Sequence, residues 1–347
     1  MKDIILRKQK NNGELEHKKS KVLYEIVNLR ALAIFFVVIG HCIIIYSHSW
    51  HRYSSDIEVP VFDYLKAYIN IIQMPLYFSI SGYLYNISAK KPFAVFIKDK
   101  ARRLLLPWVF FTFALMLPIR FLVQYPGYSG LSFPKILFYY TLLGKDEGNV
   151  WFMSCLFICL VITYLYDLFI ERLHVGKFAG KIGIMFIALI LLRKEYMFFD
   201  YGLLRNPSKY LFYFQLGCLI SMFWDFQIRN VFTKIIGALV YAVCSVFGMM
   251  MLAHKASIMF VVIRVIMVIA LYLMIPSKSS KAIEFLSSYS YGLFLFHSPL
   301  IYITFAYLPN AHPAIVVGIN LFVFVPLSIL LTWIFKHSVL RILIGEK

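Results

Sequence analysis

Long apolar runs recur along the chain from Ala31 to Phe335, separated by short polar segments. A membrane-spanning helix needs roughly 20 apolar residues, or somewhat fewer where flanking side chains reach the interface. The pattern therefore predicts an all-α, polytopic integral membrane helix bundle. Its ten predicted spans are 30–48, 65–85, 104–123, 150–170, 180–193, 210–226, 231–253, 257–276, 288–308 and 314–335. The shorter apolar segment 131–144 is predicted to be a re-entrant or interfacial helix.

Composition supports a membrane protein. Of the 347 residues, 61% are apolar and 15% are charged, and the mean hydropathy is +0.75. Soluble domains average about 45–50% apolar and 25% charged residues. Lipid, and not water, is therefore the expected surrounding of most of the chain.

The distribution of basic residues predicts the topology. With the N-terminus inside, the predicted cytoplasmic segments carry 23 Lys and Arg residues and the outer segments carry ten. This asymmetry predicts that both termini are cytoplasmic, in a multi-pass protein of the cell membrane. It also explains the net charge of +18 without a nucleic-acid partner. Residues 1–21 are predicted to be a polar cytoplasmic tail, and 22–347 a single transmembrane domain.

Cysteine usage predicts neither disulfides nor a metal site. The five cysteines lie in or beside apolar runs, and none stands at a metal-binding spacing. They are expected to pack as small apolar residues.

The first predicted span carries two ionisable residues, Arg30 and His41. Eleven helical residues make three turns plus about 20°, so the two side chains share one helix face about 16 Å apart. With Arg30 at the cytoplasmic edge, His41 is expected near the middle of the bilayer core. A neutral histidine at that depth is a candidate general base. Alternatively, it forms a structural hydrogen bond to a neighbouring helix.

Two further stretches are candidates for functional roles, although helix packing and membrane topology also explain them. The second span contains Pro75 with small residues at Ser79, Ser81 and Gly82, which suit close helix approach or a break lined by protein. Cations just before the third span suit a polyanionic phosphate ligand, although positive-inside topology explains them equally well. These cations are Lys98, Lys100, Arg102 and Arg103.

Together these motifs resemble integral membrane acyltransferase family 3, and within it the fucose 4-O-acetylase-like branch. The resembling elements are "RALAIFFVVIGH", "MPLYFSISGYL", "KARRLLLP", "VWFM", "YFQLG" and "SYGLFLFHSPL", in the family's order. They extend over about residues 27–300, nearly the whole chain. Each element is weak alone, whereas the ordered set is specific to the family but not to a substrate.

The resemblance implies an O-acyltransferase, acetyl being the expected group, that moves the acyl group from cytoplasmic acyl-CoA to a hydroxyl of a cell-surface carbohydrate. The donor would be acetyl-CoA, bound by Arg30, Lys100, Arg102 and Arg103, with Arg30 also counted in the catalytic pair. His41 would be the general base, with acyl transfer through His41 as an alternative. No metal is expected. The predicted substrate-lining residues are Gln73, Ser81, Asn149, Trp151, Arg264 and His297.

The sequence departs from the family pattern in ways that bear on His41. Lys100 stands for the first Arg of the basic pair, and Gln73 and Asn149 stand where relatives often have His. No Asp or Glu occupies the centre of a predicted span, so the residue that orients His41 is left open among a hydroxyl, these two amides and the loop acids Asp146 and Glu147.

The sequence is compatible with further roles and functions. Arg264 lies inside the eighth span, where oxyanion stabilisation, binding of an anionic sugar and structural pairing are all compatible with its position. A transporter or flippase for a lipid-linked saccharide is the alternative function, although no inverted repeat is visible. A non-catalytic membrane partner is the third, and it would not need Arg30 and His41 on one face.

Overall fold

The computed structural model describes residues 23–47, 53, 55–88, 90–146, 148–194, 201–223, 230–255 and 257–346. The described part is 84% helical and contains no strands, which confirms the predicted fold class. The predicted tail, 1–21, lies outside the described residues. The helices are α1 (Tyr24–Cys42), α2 (Pro60–Ile87), α3 (Phe93–Leu122), α4 (Phe133–Lys135, continuing as Ile136–Leu142), α5 (Trp151–Arg172), α6 (Lys177–Arg193), α7 (Gly202–Phe223), α8 (Val231–Met250), α9 (Ile258–Met274), α10 (Lys281–Tyr307) and α11 (Pro313–Lys336).

Each of the ten predicted spans overlaps one helix, and α4 lies where the short re-entrant or interfacial helix is predicted. Five described segments are long and apolar enough to cross a membrane by length and composition alone: α1, α3, Gly148–Arg172, Val231–His254 and α11. In the most apolar part of α1, 61% of residues are buried inside the protein, against 11% in the segment that contains α8. Therefore α1 lies at the centre of the bundle, whereas α8 exposes its side chains to lipid.

Helix α1 begins earlier than the sequence predicts, at Tyr24 instead of 30. Asn28 is buried, and its side-chain amide donates to the backbone carbonyls of Pro276 and Lys278 at 2.9 Å each. Backbone carbonyls thus accept from the amide nitrogen of a polar side chain that the apolar pattern excludes from the span, whereas its Oδ1 is buried without a donor. Helix α1 ends at Cys42, so His41 is its penultimate residue. The depth of His41 in the bilayer stays a prediction.

Helices α2 and α7 cross in backbone contact through two glycines. A Cβ atom on Gly82 would lie 1.8 Å from the carbonyl oxygen of Phe214, and one on Gly217 would lie 1.8 Å from that of Ser79. No side chain fits in this space, so small residues set the distance between the two helices. The structure therefore gives the small-residue cluster in α2 a packing role.

Helix α3 contains two π-helical segments, Ala101–Leu105 and Thr112–Met116. Pro107 follows the first segment and cannot donate a backbone hydrogen bond to the preceding turn. The backbone carbonyl of Arg103, four residues earlier, instead accepts a bond of 2.8 Å from the Tyr291 hydroxyl of α10. A side chain from another helix thus compensates for the missing backbone bond and ties α3 to α10.

Replacing Gly217 by Ala should destabilise the protein by about 3 kcal/mol or more, because the added methyl group collides with backbone and not with a flexible side chain. The measurement is the melting temperature of the detergent-solubilised protein. Gly318→Ala in α11 is the matched control, since a Cβ there meets nothing within 4 Å. Equal melting temperatures for the two variants would contradict the proposed close crossing.

Candidate functional site

Two histidines from distant helices meet at the centre of the site. His41, near the end of α1, and His297, in the middle of α10, are joined by a hydrogen bond of 2.8 Å between His41 Nδ1 and His297 Nε2. The ring planes are within 14° of each other and the ring centroids are 5.0 Å apart, so the bond lies close to both ring planes, where a nitrogen lone pair points. We call these two residues the histidine pair.

The second ring nitrogen of His297 determines which atoms carry protons. His297 Nδ1 lies 2.6 Å from the carbonyl oxygen of Leu293, which can only accept a hydrogen bond, so Nδ1 carries a proton. In a neutral ring His297 Nε2 is then bare and accepts from His41 Nδ1–H. A neutral His41 is left with an unprotonated Nε2, the state that a general base requires. His297 thereby fills the role for which the sequence offered only amides, hydroxyls and loop acids.

His41 lines a cavity of about 360 Å³ at the end of α1. Its walls come from the segment between α4 and α5, the first turns of α7 and the second half of α10. The lining residues are His41, Ile44, Gly144, Lys145, Asp146, Gly148, Asn149, Trp151, Arg205, Asn206, Tyr210, Ser298, Ile301, Tyr302 and Phe305. By the predicted topology this end of the bundle faces outward.

Two of the predicted substrate-lining residues, Asn149 and Trp151, line this cavity. The Asn149 side-chain amide donates to the Phe294 carbonyl at 2.8 Å, while its Oδ1 is buried without a donor. The Trp151 ring stacks on Tyr210, with centroids 5.1 Å apart and planes 28° apart. The cavity therefore presents an unpaired hydrogen-bond acceptor, Asn149 Oδ1, and an aromatic surface formed by Trp151 and Tyr210.

Arg120 of α3 holds one wall of the cavity in place. It is 1% exposed and donates to Asp146 Oδ1 at 3.2 Å, to the Asp146 carbonyl at 2.8 Å and to the Tyr302 hydroxyl at 2.7 Å. The Tyr125 hydroxyl donates to the other carboxylate oxygen of Asp146 at 2.8 Å, and burial raises the pKa of this tyrosine, so the hydroxyl stays protonated. Asp146 is thus fixed by Arg120 and Tyr125. Glu147, the other candidate loop acid, lies outside the described residues.

The predicted phosphate-binding residues gather at the opposite end of α1. Arg30 donates to the Ser290 hydroxyl at 3.1 Å and to the Ser287 carbonyl at 3.3 Å, both in α10. The charge of Arg103 acts on both Arg30 and Lys100. We call Arg30, Lys100 and Arg103 the cation cluster; Arg102 is exposed beside it. The described residues that line the cavity around His41 include none of these four.

The remaining predicted residues lie on the α2 side of the bundle. Gln73 donates to Asn70 Oδ1 at 3.0 Å and its own Oε1 is buried without a donor. The Ser81 hydroxyl bonds the Tyr77 carbonyl of its own helix at 2.9 Å. Arg264 of α9 donates to the Asn70 carbonyl at 3.4 Å. None of these three lines the described cavity.

Sequence reasoning missed Lys66 and Arg120, which are both buried. Each is a lone cation inside a predicted span, 65–85 or 104–123, and that signal was available in the sequence. Both were instead counted among the cations of the outer segments. Nothing in the sequence indicated the partners of Arg120.

A comparison with protein-family models finds one family that spans the site. Residues 23–337 match the family model of acyltransferase family 3, described as an acyltransferase domain. The match includes both histidines and the cation cluster, and it does not distinguish the fucose 4-O-acetylase-like branch. No curated protein and no solved structure matches the chain significantly.

The histidine pair predicts a defined tautomer that ¹⁵N NMR of histidine-labelled protein can detect. His41 should give the signals of a neutral ring protonated at Nδ1. In His297→Phe, which removes the acceptor, His41 should shift toward the Nε2-protonated form. The exposed His337 is the internal control, since it bonds its own preceding turn. A wild-type His41 protonated at Nε2 would contradict the assignment.

Proposed function

The chain belongs to acyltransferase family 3, and from this membership we propose that it is a membrane O-acyltransferase that moves an acyl group, acetyl in the first instance, from cytoplasmic acyl-CoA to a hydroxyl of a cell-surface carbohydrate. Family membership and the apolar helices establish the coarser statement that it is a multi-pass membrane acyltransferase. The donor, the acceptor and the roles of individual residues are parts of the proposal.

One observation supports a carbohydrate as the acyl acceptor most directly. The bare Nε2 of His41 and the buried, donorless Oδ1 of Asn149 belong to two side chains that line one cavity. Two hydrogen-bond acceptors without donors suit a ligand that carries several hydroxyl groups. The stacked rings of Trp151 and Tyr210 add a flat apolar surface for the C–H face of a sugar ring.

The proposed reaction needs one proton carrier. His41 Nε2 takes the proton of the acceptor hydroxyl while the hydroxyl oxygen attacks the carbonyl carbon of the thioester, and the carbonyl electron pair moves to oxygen. Collapse of this tetrahedral intermediate re-forms the carbonyl, breaks the C–S bond and releases the coenzyme A thiolate. The thiolate then takes the proton from His41. His297 holds the tautomer that this sequence requires.

The cation cluster supports the proposed donor. Arg30, Lys100 and Arg103 hold like charges close together at one end of α1. Like charges placed close together favour the binding of a polyanion, and the phosphates of a nucleotide suit them well. The length of α1 between Arg30 and His41, about 16 Å, is within reach of an extended pantetheine arm.

The test compares O-acetyl signals in NMR spectra of surface polysaccharide from cells with and without this chain. Loss of the chain should remove a set of O-acetyl signals. His41→Ala should lower acyl transfer at least about 100-fold, because a general base contributes roughly 10²–10⁴ to the rate. His337→Ala, at the exposed end of α11, should leave it unchanged.

Purified protein separates an enzyme from an exporter. The acyltransferase consumes acetyl-CoA and releases coenzyme A, whereas a saccharide flippase loses transport in His41→Ala but shows no acetyl-CoA turnover in either form. Unchanged O-acetyl signals in every glycan fraction, together with no turnover of acetyl-CoA, would refute the proposed function.

A further inference from the structure

A stripe of polar side chains runs along the face of α2 that meets α1. Lys66, Asn70 and Gln73 are four and three residues apart and so share one helix face. A Cβ atom on Gly40 would lie 3.1 Å from Lys66 Nζ and 3.5 Å from Gln73 Oε1. Both polar atoms therefore lie against the backbone of the residue that precedes His41. We call Lys66, Asn70 and Gln73 the α2 stripe.

Lys66 is buried, and none of the described residues pairs with it. It is 3% exposed, and it forms no hydrogen bond or ion pair with any residue that the structure describes. Asp63, the preceding acid on α2, accepts a bond from the Ser47 hydroxyl at 3.1 Å. Burial of a charge without a counter-charge destabilises a fold, so an unpaired ammonium inside the bundle indicates a function.

A second cation contributes to the positive potential of the same region. Arg264 of α9 bonds the Asn70 carbonyl and lies over the Phe260 ring, with its guanidinium carbon 4.4 Å from the ring centroid. Its Nε is buried without an acceptor. The region around the α2 stripe therefore offers positive charge and unused donors.

His41 thus stands between two environments of opposite hydrogen-bonding character. The cavity presents the donorless Oδ1 of Asn149 and the bare Nε2 of His41. The α2 stripe instead presents a buried cation that has no acceptor among the described residues. Lys66 is absent from the described lining of the cavity, although its charge acts on the His41 ring. A hydroxyl suits the first environment, and a thioester oxygen that gains negative charge suits the second.

We propose that Lys66 is the catalytic residue that stabilises the oxyanion of the tetrahedral intermediate, with the thioester carbonyl oxygen directed at its ammonium from the α2 side of His41. This assignment rests on the proposed function. The ammonium is buried inside the bundle before the reaction. In surroundings of low dielectric constant its attraction for a developing negative charge is strong.

The test uses full-length protein in nanodiscs, with acetyl-CoA as donor and de-O-acetylated surface polysaccharide as acceptor. Lys66→Met should lower kcat about 100-fold or more, the usual cost of removing one oxyanion donor, with the KM for acetyl-CoA unchanged within about twofold. Its melting temperature should rise, because the substitution removes an unpaired buried charge and keeps the apolar stem. Lys234→Met, on the lipid-facing α8, is the control and should retain wild-type kcat.

Lys66→Ala adds a second, independent measurement. Propylamine should restore part of its activity by supplying an ammonium, whereas propanol, of similar size, should not. Wild-type kcat in Lys66→Met, a raised KM with unchanged kcat, or equal rescue by both additives would each overturn the role of Lys66. If wild-type protein does not turn over acetyl-CoA, the proposed function fails and this inference fails with it; turnover that is insensitive to Lys66 refutes the inference alone.

Discussion

The bond between His41 and His297 is one of several polar ties between α1 and the segment that contains α10. Asn28 bonds the loop before α10, Arg30 bonds the first half of α10, and His41 bonds its middle. Because apolar packing distinguishes poorly between neighbouring helices in lipid, such ties determine which faces meet and in which register. The protonation pattern of the histidine pair is therefore a property of the assembled bundle and not of either helix alone.

This arrangement separates the tasks of the site along α1. The cation cluster occupies one end, and the histidine pair and the cavity occupy the other. Between them, α1 faces α2, whose backbone contact with α7 at Gly82 and Gly217 leaves little freedom to slide. The donor and acceptor sides of the proposed reaction are therefore held by the same central helices, and His41 is where they meet.

The sequence predicted the features that depend on one helix at a time. Apolar periodicity located the helices, and the spacing of Arg30 and His41 placed both on one face. The sequence could not identify His297 as the partner of His41, because 256 positions separate them. Helical periodicity shows which side chains share a face, but not which other helix packs against that face. The start of α1 at Tyr24 was missed for a related reason, since Asn28 finds its partners in a distant loop.

Buried cations show the same limit. Lys66 and Arg120 both interrupt apolar spans, yet their surroundings differ sharply. Arg120 bonds a carboxylate and two tyrosine hydroxyls, whereas Lys66 has no such partner in the described part of the chain. Sequence alone gives both residues the same description, and only the assembled packing separates a satisfied charge from an unsatisfied one.

The π-helical segments of α3 have a consequence for how this chain tolerates insertions and deletions. A π turn accommodates an extra residue within a helix, so side chains beyond it point in a different direction from those of a regular α-helix. Arg103 lies within the first π-helical segment and before the second, and Arg120 follows both. Loss of a single residue between them would rotate one arginine away from its own end of the bundle, so the spacing within α3 is constrained even where its apolar side chains are interchangeable.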